Sequence, residues 1–372
     1  MKLSRSGRLA GAAIAGALAL TACGSDNNTS TSTSSAASGS SSAAAISCAK
    51  GTLNSSGSTA QANAMDQWRK DYQSACSGAT INYGGGGSGQ GITDFTNAQT
   101  AFAGSDSPLN PAKGEVEKAD ARCKTGKAVD LPMVAGPIAV VFNVDGVSAL
   151  TLTPSLLAQI FSGKITTWND PAIAAANSGV TLPATKITTV HRSDSSGTTD
   201  NFTKYLDAAA KADWTLGHDK QWKAEGGQGA KGSDGVSATV KSTPGTIGYV
   251  EFSFATSNSL KYAKVDNGSG AVELTPDAVG KAVAAATVSG TGDDLSLKLD
   301  YATKVTGAYP ILLVTYEITC LQGLPADQAA LTKSFLTYIS STAGQAKLTG
   351  LGYAPLPTEI QSKVQAVVAK IA

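Results

Sequence analysis

The chain has 372 residues, with 29 Lys and Arg against 28 Asp and Glu, for a formal net charge of +1. So even a balance leaves no basic face broad enough to neutralise a nucleic-acid backbone, and no nucleic acid is expected as a partner. With His191 and His218 as the only histidines and no Cys-x-x-Cys spacing among the cysteines, neither a metal site nor a cofactor is expected.

The first element in chain order is a leader. Lys2, Arg5 and Arg8 precede an uncharged Ala/Gly/Leu stretch from Leu9 to Leu20, the layout of a signal peptide. It runs into Leu20-Thr21-Ala22-Cys23, which resembles a bacterial lipobox. The expectation is a lipoprotein signal peptide over 1–22, cleavage before Cys23, and lipidation of that cysteine. The protein would then be anchored at the extracytoplasmic face of the cell membrane. Residues 23–45 are nearly all Ser, Thr, Ala, Gly and Asn, too polar to bury a core, and read as a flexible tether. Beyond Cys23 no uncharged apolar run approaches the ~20 residues of a membrane-spanning helix.

From Ile46 onward the chain is long enough for two lobes with their own cores. Strand and helix signals alternate: Gly51 to Asn54 extended, Ala60 to Gln73 helical, Ala79 to Tyr83 extended, Gly91 to Ala101 helical. The rhythm predicts an α/β fold. Val129 to Val144 and Ile311 to Thr319 are almost wholly apolar, as strands buried on both faces are. Between them the pattern predicts a helix over Thr153 to Thr167, a strand over Ile187 to His191, a helix over Thr198 to Ala210 and a strand over Ile247 to Ser253. Helices over Ala326 to Ser341 and Thr358 to Ala372 close the chain. Once Cys23 is assigned to lipid, Cys48, Cys76, Cys123 and Cys320 remain, an even number in an oxidising compartment. Two disulfides follow, with three pairings open at this point.

Three turns rich in Gly, Ser and Thr each fall between a predicted strand and a predicted helix: Ser55 to Thr59, Gly84 to Gly89, and Arg192 to Thr198. Each offers backbone N–H groups at the positive end of a helix dipole, with hydroxyl donors nearby, which suits an anion. The third also holds Arg192, whose planar fork could grip an oxyanion, and Asp194, which could pin that fork. Asp106, in the turn Ala103 to Leu109 after the second helix, is an acceptor in a site otherwise made of donors. It makes sense for an oxyanion that still carries a proton, and it would penalise one that carries none, such as sulfate.

Taken together, Gly57-Ser58-Thr59, Tyr83 to Gly91, Gly104 to Leu109, Phe161 to Pro171, His191 to Thr198 and Pro244 to Glu251 resemble the phosphate-binding component of the bacterial phosphate ABC transporter. These stretches run in family order across almost the whole mature chain. The resemblance implies a two-lobed periplasmic-binding-protein fold of type II, with two interlobe crossovers near Val134 and Ile311 and a ligand cleft between the lobes. Lobe I would be 46–134 with 311–372, and lobe II 135–310. It implies inorganic phosphate as ligand, held by Thr59, Ala60, Ser88, Asp106, Arg192, Ser196, Gly197 and Thr198, with Asp194 orienting Arg192. At Ala60, where relatives often have Phe, only the backbone could make contact. It further implies a monomer that hands phosphate to membrane permease subunits served by a cytoplasmic ATPase. The same topology favours Cys48 with Cys76 and Cys123 with Cys320.

The rival readings are weaker. Gly84, Gly86 and Gly89 have the spacing of a dinucleotide fingerprint, with Asp106 further on, but a run of four glycines meets that spacing by chance. Gly226 to Ser233 is not a Walker A loop. An exported phosphatase would need a nucleophile with a base, for which His191 beside Ser193 or Ser196 is the only hint. A phosphate-sensing or adhesive surface lipoprotein could keep the same fold. The expectation is a binding protein, not an enzyme.

Overall fold

The computed structural model describes residues 46–372. The leader 1–22, Cys23 and the tether 23–45 lie outside the described residues. The first elements alternate: β1 (Gly51–Gly57), α1 (Ala62–Ala75), β2 (Ala79–Gly85), α2 (Ser88–Thr96), β3 (Phe102–Ser105), α3 (Glu115–Arg122) and β4 (Ala128–Asn143). There follow α4 (Pro154–Phe161), β5 (Thr188–Arg192), α5 (Gly197–Ala209), β6 (Gln228–Ala230), α6 (Gly232–Ser242), β7 (Thr246–Glu251), α7 (Phe252–Ser257) and β8 (Lys261–Tyr262). The last are β9 (Leu312–Cys320), α8 (Ala326–Ser340) and α9 (Thr358–Val368).

Helices and strands form where side-chain period and burial agree. In α1, Ala64, Met65, Trp68 and Tyr72 recur at helical spacing and all are buried, Trp68 also donating its Nε1 hydrogen to the carbonyl of Gly344 at 2.8 Å. All of β9, and all of β4 but its last residue, are buried, as their apolar runs imply. They nevertheless pair antiparallel to each other.

Nine strands form one sheet in the order β2-β1-β3-β9-β4-β7-β5-β6, with β8 also paired to β4. β1, β2 and β3 are parallel, β9 is antiparallel to β3 and to β4, and β7 is antiparallel to β4 and parallel to β5. β4 therefore belongs to two halves of the sheet, meeting β9 from Ala128 to Pro137 and β7 from Ile138 to Asn143. Strand direction has a consequence for the site. β4 runs with β3 into the second half, where β7, β5 and β6 run the other way, so the C-terminal ends of β1–β3 face those of β5–β7. The loops between strand and helix meet in the middle, the customary place for a ligand in open α/β sheets.

Cys48 is bonded to Cys76 and Cys123 to Cys320, each with 5.4 Å between Cα atoms. The second bond joins residues 197 apart in sequence, and on a chain-entropy view a crosslink of that length stabilises by about 5 kcal/mol.

Several boundaries differ from those read in the sequence, each for a local reason. The helix expected to reach Thr167 stops at Phe161, because Gly163 takes a left-handed φ of 74°. The helix expected from Gly91 to Ala101 runs instead over Ser88–Thr96, with Ala98 at φ 57° just beyond its end. The strand expected to reach Ser253 ends at Glu251, whose side chain accepts the Ser253 N–H at 2.9 Å and caps α7. Asp106 follows a short strand, β3, and not the second helix directly.

Candidate anion-binding site

The three small-residue turns lie at the C-terminal ends of β1, β2 and β5, where α1, α2 and α5 begin. Two of them interlock through glycines. Gly87 has a φ of 92°, and a Cβ there would sit 2.4 Å from Asp194 Oδ2 and 2.6 Å from the Ser195 carbonyl. A Cβ on Gly197 would lie 2.5 Å from Ser88 Oγ and 2.6 Å from Asp106 Cβ. Any other residue at either position would hold the two turns apart.

Asp106 is the centre of this contact, with 3% of its surface exposed. Its Oδ1 accepts the hydroxyls of Ser58 at 2.5 Å and Thr315 at 2.8 Å, and its Oδ2 accepts Ser88 Oγ at 3.3 Å. The Ser88 oxygen in turn accepts the backbone N–H groups of Asp106 at 3.0 Å and Gly197 at 3.1 Å, joining α2 to α5. Asn201 on α5 donates to the Asp106 carbonyl at 2.6 Å and to the Gly197 carbonyl at 2.8 Å. Burial lifts the Asp106 carboxyl above the ordinary range, against the pull of the Ser58, Thr315 and Ser88 hydroxyls and the Arg192 charge.

Arg192 closes β5 and is 2% exposed. Its Nε donates to Asp194 Oδ1 at 2.7 Å and its Nη2 to Asp194 Oδ2, a bidentate grip that leaves Nη1 directed at Thr198 Oγ1, 3.4 Å away. Burial alone would raise the Asp194 carboxyl. The bonds and charge of Arg192, with the Gly232 N–H at 3.0 Å, outweigh it and hold the group below the usual carboxylate range.

Ser88, Asp106, Arg192, Gly197 and Thr198 are thus gathered, and Asp194 holds Arg192. Three other residues expected at the site direct their polar groups elsewhere. Thr59 Oγ1 meets Ser233 Oγ at 3.0 Å and accepts the Ser233 N–H at 3.1 Å, linking the α1 turn to the start of α6. Ala60 donates its N–H to Ser58 Oγ at 3.1 Å. The Ser196 hydroxyl accepts the Thr199 N–H at 3.2 Å and caps α5. Ser58 and Thr315 are groups that sequence reasoning did not single out. Ser58 stood inside a turn already noted, whereas Thr315 lies in a strand buried on both faces, where alternation marks no site-facing side.

Further polar contacts join the β1–β3 half to the β5–β7 half. Ser107 donates to Asp200 at 2.6 Å, Lys220 meets Glu115 at 3.0 Å, Lys113 meets Asp219 at 3.0 Å, and Asn63 donates to Ser253 at 2.8 Å. Burial raises the Asp200 carboxyl, but His218, Lys204 and Ser107 outweigh it and hold the group far below its ordinary range. His191 is not paired with a serine. Its ring stacks on Trp222 at 5.0 Å, and its Nδ1 lies 3.1 Å from the Arg192 carbonyl. Among the described residues no group of three or more His, Cys, Asp or Glu is placed to hold a metal ion.

A family profile described as a PBP superfamily domain matches residues 31–343. The phosphate-binding protein PstS 3 of Mycobacterium tuberculosis is 46% identical over 377 residues, covering all of both chains. The phosphate-binding protein PstS 2 of the same organism is 43% identical over 373 residues, covering 99% of each. Among solved structures, a high-affinity periplasmic phosphate-binding protein bound with phosphate matches at a TM-score of 0.69 and 25% identity, over 85% of this chain and 93% of that one.

Proposed function

We propose, from the premise that the chain belongs to the periplasmic phosphate-binding proteins of the phosphate ABC importers, that it captures inorganic phosphate at the Asp106 centre. It is a two-lobed extracytoplasmic binding protein whose partners are phosphate and the membrane permease. Its site consists of Ser58, Ser88 and Asp106 on one side and Arg192, Gly197 and Thr198 on the other. Thr59, Ala60 and Ser196 stand in the same turns and complete the cage when ligand enters. The lobes divide at 134/135 and 310/311. Cys23 is the lipid anchor, and the protein works as a monomer.

One observation carries the ligand assignment: a buried carboxylate, surrounded by hydroxyl donors, placed where two helix N-termini and an arginine converge. The first N–H groups of α2 and α5 have no partner inside their helices; that of Gly89 is held by the Ser195 carbonyl and that of Gly197 by Ser88 Oγ. Ligand entry exchanges such bonds for phosphate oxygens, with Arg192 Nη1 as a further donor. Asp106 accepts the proton that phosphate retains at neutral pH. Sulfate has no such proton and would face the carboxylate acceptor to acceptor. An anion touching both lobes favours the closed arrangement, since only differential contact can shift that balance.

The site supports binding over hydrolysis, because no serine in it is paired with a histidine: His191 stacks on Trp222 and faces the Arg192 carbonyl. Equilibrium dialysis with labelled phosphate, with excess sulfate as competitor, tests the reading. Saturable binding that sulfate does not displace is expected. Absence of binding, or turnover of phosphate esters, would overturn it.

A further inference from the structure

α5 carries two buried polar residues in succession, Asp200 and Asn201, and both reach the opposite half of the sheet, at the consecutive residues Ser107 and Asp106. Asp200 accepts the Ser107 hydroxyl at 2.6 Å. Asn201 Nδ2 donates to the Asp106 carbonyl at 2.6 Å and, one turn back on its own helix, to the Gly197 carbonyl at 2.8 Å. The third contact of this side chain is the Tyr301 hydroxyl, on Oδ1. Asparagine is a poor helix former, and with 2% of its surface exposed it needs protein partners for its whole amide.

Counting protons leaves one orientation for that amide. Two carbonyls accept and cannot donate, so the atom between them is the nitrogen, and its two protons go one to each. The oxygen then accepts, and the phenol supplies the proton. Reversed, the amide would set its oxygen against both carbonyls. Tyr301 comes from the stretch between Lys298 and Leu312 that leads into β9. That stretch is tied to both halves: just before it the Leu297 N–H donates to the Tyr316 hydroxyl of β9 at 3.0 Å, and within it the Thr303 carbonyl accepts Asn267 Nδ2 at 3.0 Å.

The contacts between the halves at this turn respond differently to ligand. The bond from the Gly197 N–H to Ser88 is one that phosphate exchanges. The Asn201 bond ends on a carbonyl, and phosphate has no proton to offer it beyond the one that Asp106 takes. The ion pair of Lys113 with Asp219 is partly exposed and screened by salt, whereas the Asn201 bond is neutral and buried.

We propose that Asn201 is a positioning residue that clasps the two halves over bound phosphate, holding the Asp106 carbonyl from α5 while Tyr301 fixes its amide. It touches no ligand. Separation of the halves breaks the bond to Asp106 and leaves the one to Gly197. The clasp therefore stabilises the closed arrangement alone, and it slows the escape of ligand without aiding its entry.

The inference rests on capture of phosphate at Asp106, and its test separates the two. Labelled phosphate chased with excess unlabelled phosphate by rapid filtration reads dissociation, and equilibrium dialysis reads affinity. Asn201→Ala is expected to release phosphate about tenfold faster, with association within about twofold of wild type, at low and high salt alike. Tyr301→Phe removes one hydroxyl and no packing, and is expected to release it about threefold faster. It carries the test by itself if Asn201→Ala does not fold. Because Tyr301 acts through Asn201, the double variant is expected to release phosphate no faster than Asn201→Ala. Wild-type dissociation in the variants, or a loss confined to association, overturns the clasp. Additive effects in the double variant remove Tyr301 from it. A wild-type protein that binds no phosphate fails the site reading and takes the clasp with it, whereas one that binds, beside variants that release at its own rate, fails the clasp alone.

Discussion

On the β1–β3 side of the site the acidic group, Asp106, is surrounded by neutral hydroxyls. On the β5 side Arg192 carries its own carboxylate, Asp194, on two of its three nitrogens. The second arrangement is nearly self-neutral before any ligand arrives, and its bidentate geometry fixes where Nη1 points. The first is not neutral, and the donors around Asp106 only partly offset its burial. The lesson is a division of labour. Arg192 supplies direction and holds its turn in place, while discrimination among oxyanions falls to the side with the uncompensated acceptor.

The comparison can be broken most forcefully at Arg192. Arg192→Ala removes a buried cation and strands Asp194, so unfolding stability is expected to fall by about 3 kcal/mol and phosphate affinity by about a hundredfold or more. Urea denaturation and calorimetry check both, with Ser193→Ala, an exposed neighbour, expected to stay within about twofold. Next comes Asp106→Asn. The fold is expected to survive while phosphate-over-sulfate selectivity drops by about tenfold or more in competition binding. If selectivity fell as far in the arginine variant as in this one, the division of labour would be wrong. Thr315→Val is a smaller probe that removes one of three hydroxyls from Asp106, with an expected loss of about fivefold in affinity and little change in stability.

The smallest expected effect lies in the pH dependence of stability, where the carboxylates oppose one another. Asp194 and Asp200 are held below the ordinary range, so they bind fewer protons folded than unfolded. Their contribution is present above about pH 4 and is lost as pH falls below it. Glu251 and Glu317 are pushed well above the ordinary range, burial being the largest cause, and bind more protons folded than unfolded. Their contribution declines as pH rises above about 4.5 toward neutral. Asp200→Asn is expected to flatten the acid limb of a stability profile and Glu317→Gln the opposite limb. Denaturant midpoints across pH measure both slopes.

Much of this was legible from residue types because the requirement is local. A strand that turns into a helix beside another backbone needs small residues, and Gly87, Ser88, Ser196 and Gly197 announce such turns without tertiary information. Arg192 and Asp194, two residues apart at a strand end, announce their pairing in the same way. What was not legible depends on partners distant in sequence. Phe102–Ser105 is four residues long and contains a glycine, too little for a strand signal, yet it is what carries Asp106 into place. Thr315 and Glu317 lie in a run buried on both faces, so no alternation marks them as polar for a reason. The hydroxyls of Thr59 and Ser196 looked free in the sequence and are engaged by Ser233 and Thr199.

The place of β9 in the sheet bears on how the molecule assembles. Residues 312–320 occupy the slot between β3 and β4, strands that precede them by some two hundred positions, and Cys320 is bonded to Cys123 across that span. A chain emerging from the export channel therefore holds an open gap in the middle of its first half until this late segment slides in. Contacts of such long range make folding slow and leave two strand edges exposed meanwhile, a hazard for aggregation. The same segment delivers Thr315, so the grip on Asp106 cannot be completed by a chain that has not finished folding. Capture of ligand thereby becomes a report that the whole polypeptide has arrived and closed.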